Sequence, residues 1–192
     1  MKAACTPETK WMIASDLHGD ADCTEMLLER YRKSGAARLI LLGDLLYHGP
    51  RNDLPAGYAP KRVIELLNGV GDALLCVRGN CDTEVDQMVL SFPMLADYAY
   101  LSADGLRIFA THGHTYHMEQ LPPLRSGDIL LHGHTHVPAA VPFGDGNVYL
   151  NPGSVSIPKE GSPKSYLLYE GGVFTFCRLE DGVAYDRFSV LN

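Results

Sequence analysis

The residues able to do chemistry fall in five short segments, each at the end of an apolar run. They are Asp16-Leu17-His18-Gly19, Gly43-Asp44, Gly79-Asn80-Cys81-Asp82, Thr111-His112-Gly113-His114 and His132-Gly133-His134-Thr135-His136. Their side chains are carboxylates, imidazoles and an amide, the donors that hold first-row divalent ions. Asp16 and His18 are two apart, as are His134 and His136. An extended backbone puts such partners on one face, and a loop can turn both toward one ion. The adjoining glycines permit tight turns and close approach of backbone to a ligand. Taken singly, each segment has a plain explanation as turn chemistry, a helix cap or a structural histidine. Their conjunction at five strand ends does not. Asp16, His18, Asp44, Asn80, His112, His134 and His136 are more donors than one ion uses. They suit two ions with one carboxylate between them.

Such donors act together only if the elements carrying them converge. The pattern predicts a strand at Trp11–Ser15 and a helix at Ala21–Lys33, capped by Asp20 and closed by Gly35. A buried strand at Arg38–Leu42 follows, then a Pro-containing loop, a helix from Pro60 to about Asn68, and a strand at Ala73–Val77. This alternation is that of a parallel sheet with crossover helices. In open sheets of this kind, sites lie outside the carboxyl ends of the strands. The second half reads as strands and hairpins: Tyr98–Leu101, Leu106–Ala110, Ile129–Leu131, Val148–Leu150, Tyr166–Tyr169, Val173–Cys177 and Ala184–Val190, with Gly-containing turns between several of them. No linker composition divides the halves. One domain over residues 11–192 is expected, with the polar residues 1–10 as a flexible leader.

Bulk composition narrows the function. The 192 residues are 46% hydrophobic and 20% charged, the balance of a globular protein. A net charge of -7 argues against broad binding to nucleic acid or an anionic membrane. The five cysteines are odd in number and form no Cys-x-x-Cys, so neither a disulfide framework nor a four-thiolate zinc site is indicated. No signal-peptide pattern or apolar run of roughly 20 residues is present. A reduced, cytoplasmic protein is expected.

The ordered set Asp16-x-His18, Gly43-Asp44, Gly79-Asn80-x-Asp82, His112 and Gly133-His134-x-His136 resembles the calcineurin-like metallophosphoesterase superfamily, over essentially the whole chain from residue 11. Asn80-Cys81-Asp82, the loop His48-Gly49-Pro50-Arg51-Asn52 and Asn151-Pro152-Gly153-Ser154 look closest to its YfcE-type bacterial phosphodiesterase subgroup. The resemblance implies an α/β fold, a four-layer αββα sandwich of two mixed β-sheets flanked by helices, with the hairpin-rich second half in the second sheet. It implies Asp16, His18 and His136 on one divalent ion, Asn80, His112 and His134 on another, and Asp44 bridging both. A water or hydroxide between the ions would attack a small phosphodiester in line. Two close ions can stabilise both the attack and the charge on phosphoryl oxygens. Manganese is the metal the resemblance implies; iron, nickel and zinc also suit these donors. Two other readings share the fold: a protein-interaction scaffold like the retromer subunit, and a phosphomonoesterase. A His-x-His-x-Asp-His loop, the mark of another binuclear hydrolase class, is absent, since Val137-Pro138 follows His136. A homo-oligomer is left open.

One position departs from the family pattern. Many members carry histidine after the asparagine, where this chain has Cys81. A thiol is the weaker donor, so esters with good leaving groups are expected as substrates. Asp82 is expected to orient its neighbours. His48, Arg51, Asn52 and His114 are the candidate substrate contacts, Arg51 through its planar fork. His117 and His132 read as structural or surface residues, and Asn151 as a supporting contact.

Overall fold

A computed structural model describes residues 9–191. Most of the expected leader therefore lies outside the described residues. Lys10, which falls inside that expected leader, instead opens the first strand, β1 (Lys10–Ala14). Helix α1 (Ala21–Ser34) begins where Asp20 Oδ1 accepts the Cys23 N–H at 3.0 Å and ends at Gly35 in the left-handed conformation. Strand β2 (Arg38–Leu41) and helix α2 (Pro60–Asn68) follow, α2 with Pro60 at its first position. A 3-10 turn at Gly71–Ala73 takes the start of the expected third strand, leaving β3 (Leu74–Cys76). A one-turn helix, α3 (Glu84–Gln87), is held by a Thr83/Asp86 capping box.

The remaining elements are all strands: β4 (Tyr98–Ala103), β5 (Leu106–Thr111), β6 (Ile129–Leu131), β7 (Ala139–Phe143), β8 (Asn147–Asn151), β9 (Ser165–Glu170), β10 (Val173–Arg178) and β11 (Ala184–Ser189). They form two mixed sheets, ordered β11-β10-β9-β1-β2-β3 and β4-β5-β6-β8-β7. The last three strands thus complete the first sheet rather than the second. Strand β9 runs antiparallel to β1, pairing Trp11 with Tyr169, and their rings lie 5.1 Å apart.

Alternation along the central strands explains the layering. Met12, Ala14, Leu39 and Leu41 face outward onto Leu27 and Leu28 of α1 and Val63 and Leu67 of α2. Trp11, Ile13, Ile40 and Leu42 face inward. There they meet Ile108, Ala110, Ile129, Leu131, Val148 and Leu150 of the second sheet. Both faces are apolar, as strands covered on both sides require. Outside the second sheet, Phe109, Leu130 and Tyr149 pack on Tyr116, Met118 and Leu124. Those three residues belong to an irregular segment, so the outer layer here is a loop instead of a helix. Pro122-Pro123 within it removes two backbone donors and disfavours helix locally. No helix among the described residues is long and apolar enough to cross a membrane.

Candidate functional site

The carboxyl ends of β1, β2, β3, β5 and β6 lie together, and each carries candidate ligands. Backbone hydrogen bonds align the first two turns: Asp16 N–H donates to Gly43 O at 3.1 Å and His18 N–H to Asp44 O at 2.9 Å. Five of the candidate ligands have left-handed backbone: Asp16, His18, Asp44, His134 and His136, with φ of 59, 47, 55, 67 and 62°. Non-glycine residues rarely adopt this region, at a cost of order 1 kcal/mol or more each, and such residues collect at functional sites. Two glycines are required by close approach. A Cβ on Gly79 would collide with the Asp44 carboxylate, and one on Gly133 with Ser15 Oγ.

The ligand atoms form two clusters with a shared carboxylate. In the first, Asp16 Oδ1 lies 3.5 Å from His18 Nε2 and 3.2 Å from His136 Nε2. In the second, His112 Nε2 lies 3.1 Å from Asn80 Oδ1 and 3.1 Å from His134 Nδ1. Asp44 Oδ2 faces both, 3.7 Å from His18 Nε2 and 3.4 Å from His112 Nε2.

Backbone carbonyls orient three of these imidazoles. His18 Nδ1 donates to Tyr47 O at 2.9 Å, His136 Nδ1 to Ile157 O at 2.7 Å and His112 Nδ1 to Leu42 O at 2.7 Å. Each bond orients its ring and turns Nε2 toward the carboxylates. His18 Nε2 and His136 Nε2 then face each other at 3.2 Å. Asp16 Oδ1 is buried and makes no hydrogen bond of good geometry. Neither Asp16 nor Asp44 has a Lys or Arg partner among the described residues; both pair only with histidines. Buried anions of this kind need a counter-charge. Oxygen and imidazole donors within 4.8 Å of one another are what a divalent ion requires.

The electrostatics show these carboxylates drawing positive charge. Burial pushes the Asp16 carboxyl up, but its contacts with His136 and His18 hold it well below the usual range. Burial likewise opposes charge on His112, yet the Asp44 and Asp16 carboxylates lift it to about 9. Burial and the neighbouring His112 push His134 down to about 4, leaving a neutral imidazole free to ligate. For Cys81, burial and then the Asp44 carboxylate push the thiol up.

Supporting contacts hold the ligand loops. Asp82 accepts from the backbone N–H groups of Asp44 (2.8 Å), Leu45 (2.9 Å) and Gly79 (2.7 Å). Asn151 Nδ2 donates to Gly133 O at 2.8 Å and Thr135 Oγ1 at 3.0 Å. Ser154 and Ser156 hydroxyls each donate to Asp16 O at 2.9 Å. His132 ligates nothing; its ring stacks on Tyr149.

Above the ligands is a cleft of about 430 Å³. Of the candidate substrate contacts, Arg51 and Asn52 line it, as does Cys81. His48 and His114 do not. His48 sits edge-on between Tyr47 and Tyr58, and His114 lines a neighbouring hollow, 5.5 Å between ring centres from His112. Thr135 and Lys159 line the cleft without having been expected there. Thr135 lay within a motif already singled out. Lys159 follows the Asn151–Ser154 turn and carries no local signal.

The profile of the calcineurin-like phosphoesterase superfamily domain matches residues 10–171. Phosphodiesterase YfcE of Escherichia coli K12 is 49% identical over 172 residues, which is 90% of this chain and 93% of that protein. A solved structure of the E. coli YfcE phosphoesterase superposes with a TM-score of 0.91 at 47% identity, covering 95% of this chain and 100% of that one. Zinc-complexed Vps29 from Entamoeba histolytica superposes with a TM-score of 0.62 at 20% identity, over 95% and 99% of the two chains. That last likeness is one of fold.

Proposed function

The chain belongs to the calcineurin-like phosphoesterase superfamily, and on that premise we propose that it is a phosphodiesterase working with two divalent ions, manganese by preference. The observation that carries this reading is the position of Asp44, one of whose oxygens faces both donor clusters. Asp16, His18 and His136 would hold one ion, and Asn80, His112 and His134 the other. Divalent ions there supply charge that offsets the phosphoryl oxygens and lower the pKa of water toward neutrality. The chain's own part is positioning, which dominates phosphoryl transfer. The carbonyls of Tyr47, Leu42 and Ile157 orient three imidazoles. Arg51 and Lys159, on the cleft wall, bring positive charge to an anionic diester. Water displaces one ester group in line. The diester preference draws on the 49% identity to a phosphodiesterase and on Cys81 at a position where a strong proton donor is absent. A cytoplasmic location suits the four buried free thiols among the described residues.

Paired nitrophenyl mono- and diester substrates, given to manganese-reconstituted protein, test this. Diester turnover should exceed monoester turnover, and Asp44→Asn should lower it at least about 100-fold. An Asp44→Asn protein as active as wild type would exclude the two-ion reading, and a monoester preference would make the protein a phosphomonoesterase.

A further inference from the structure

A second cavity, also about 430 Å³, adjoins the cleft. It lies between α2, α3 and the loop after β2. Leu46, Tyr47, Tyr58, Ile64, Val85 and Val89 give it largely apolar walls. Cys81 lines this cavity and the cleft alike, so one buried side chain stands between the two spaces. The two differ in chemistry. The cleft presents Asp44, Asn80, imidazoles, Arg51 and Lys159. The cavity offers only Lys61 and Asp86 as charged groups, and they are of opposite sign. Its apolar wall is open to solvent: Tyr47 is 41% exposed, Val85 68% and Val89 45%. Val85 and Val89 are four apart, at α3 and just past its end. An apolar hollow with few polar groups beside a reaction centre has the character of a ligand subsite.

A phosphodiester is charged only at its phosphoryl group, which the cleft suits. Its ester groups must extend away from that point. Past Cys81, the adjoining space is apolar and flanked by two tyrosines. We infer that this cavity holds an aryl or comparably flat apolar ester group of the substrate. It thereby sets a preference for aryl over small alkyl diesters. The inference rests on the diesterase reading and deepens it.

The test is calorimetric binding, to manganese-loaded protein, of two phosphinates with no P–O–C bond to cleave, benzyl(methyl)phosphinate and ethyl(methyl)phosphinate, in which a methylene stands for the bridging oxygen of a phenyl or a methyl ester. The benzyl phosphinate should bind about tenfold more tightly, from the extra apolar area covered. Val89→Trp, which fills the cavity, and the double variant Val85→Ser/Val89→Ser, which makes its wall polar, should each bring the two affinities together. Both valines are exposed, so folding is not at stake. Ethyl phosphinate affinity should stay unchanged in both variants. A benzyl preference that survives both variants, or no preference in wild type, overturns the subsite. Loss of the diesterase reading looks different: wild type would bind neither phosphinate and would leave bis(nitrophenyl) phosphate intact.

Discussion

Asp82 Oδ2 accepts the backbone N–H of Asp44 at 2.8 Å. Asp82 is itself buried, and its other oxygen takes the N–H of Leu45 at 2.9 Å. One carboxylate thus fixes the left-handed backbone from which the other faces both donor clusters. Asp82 is a positioning residue. Asp82→Asn replaces one acceptor oxygen with a donor facing backbone N–H groups. It should lower unfolding free energy by about 1–3 kcal/mol and weaken manganese binding, as urea unfolding and metal titration will show. Unaltered metal affinity in a destabilised variant would reduce Asp82 to a fold residue.

Metal addition should stabilise the fold, because the buried Asp16 and Asp44 carboxylates have no Lys or Arg partner among the described residues. An ion present at 100 times its Kd contributes about 2.7 kcal/mol. Thermal unfolding should therefore rise by several degrees with manganese and return with a chelator. Asp16→Asn, which weakens the donor set of His18 and His136, should remove most of that shift.

Cys81→His should speed turnover or broaden the substrate range. A positioned imidazole acting as acid is worth about 100-fold or more, and the gain should be largest for alkyl diesters, whose leaving groups need the proton most. Comparing kcat/KM for nitrophenyl and alkyl diesters decides this. An unchanged substrate profile would leave Cys81 as a wall residue.

Away from the site, Arg107 grips Asp128, with Nε at 2.9 Å from Oδ1 and a second bond from Nη2. Arg107 holds the Asp128 carboxyl below its ordinary value of 3.8. A depressed carboxyl adds stability above its unfolded pKa and loses it as pH falls through the folded one. Stability should therefore drop as pH falls below about 4. Asp128→Asn should cost about 2 kcal/mol at neutral pH and flatten that acid limb, measured by urea unfolding from pH 7 to pH 3.

Local signals carried much of this. The five donor segments, the Asp20 cap, the Gly35 stop and the Pro60 start are readable because each depends on a few neighbouring residues. Apolar runs mark strands β1, β2 and β6 for the same reason. The residues at strand ends are therefore legible as one candidate metal-binding set from short segments alone. What they could not reveal was pairing. That β9 joins β1, and that the C-terminal hairpins complete the first sheet, depends on contacts more than 150 residues apart. That His48 packs between two tyrosines while Lys159 reaches the cleft depends on where loops land. The grip of Ser154 and Ser156 on the Asp16 carbonyl spans some 140 residues. The kinds of ligand were thus set by short sequence, whose side chains fix donor chemistry. The distances that set Asp44 between the two donor clusters, the left-handed backbone of five candidate ligands and the apolar cavity behind Cys81 were decided by tertiary structure, because packing alone sets distances between segments remote in the chain.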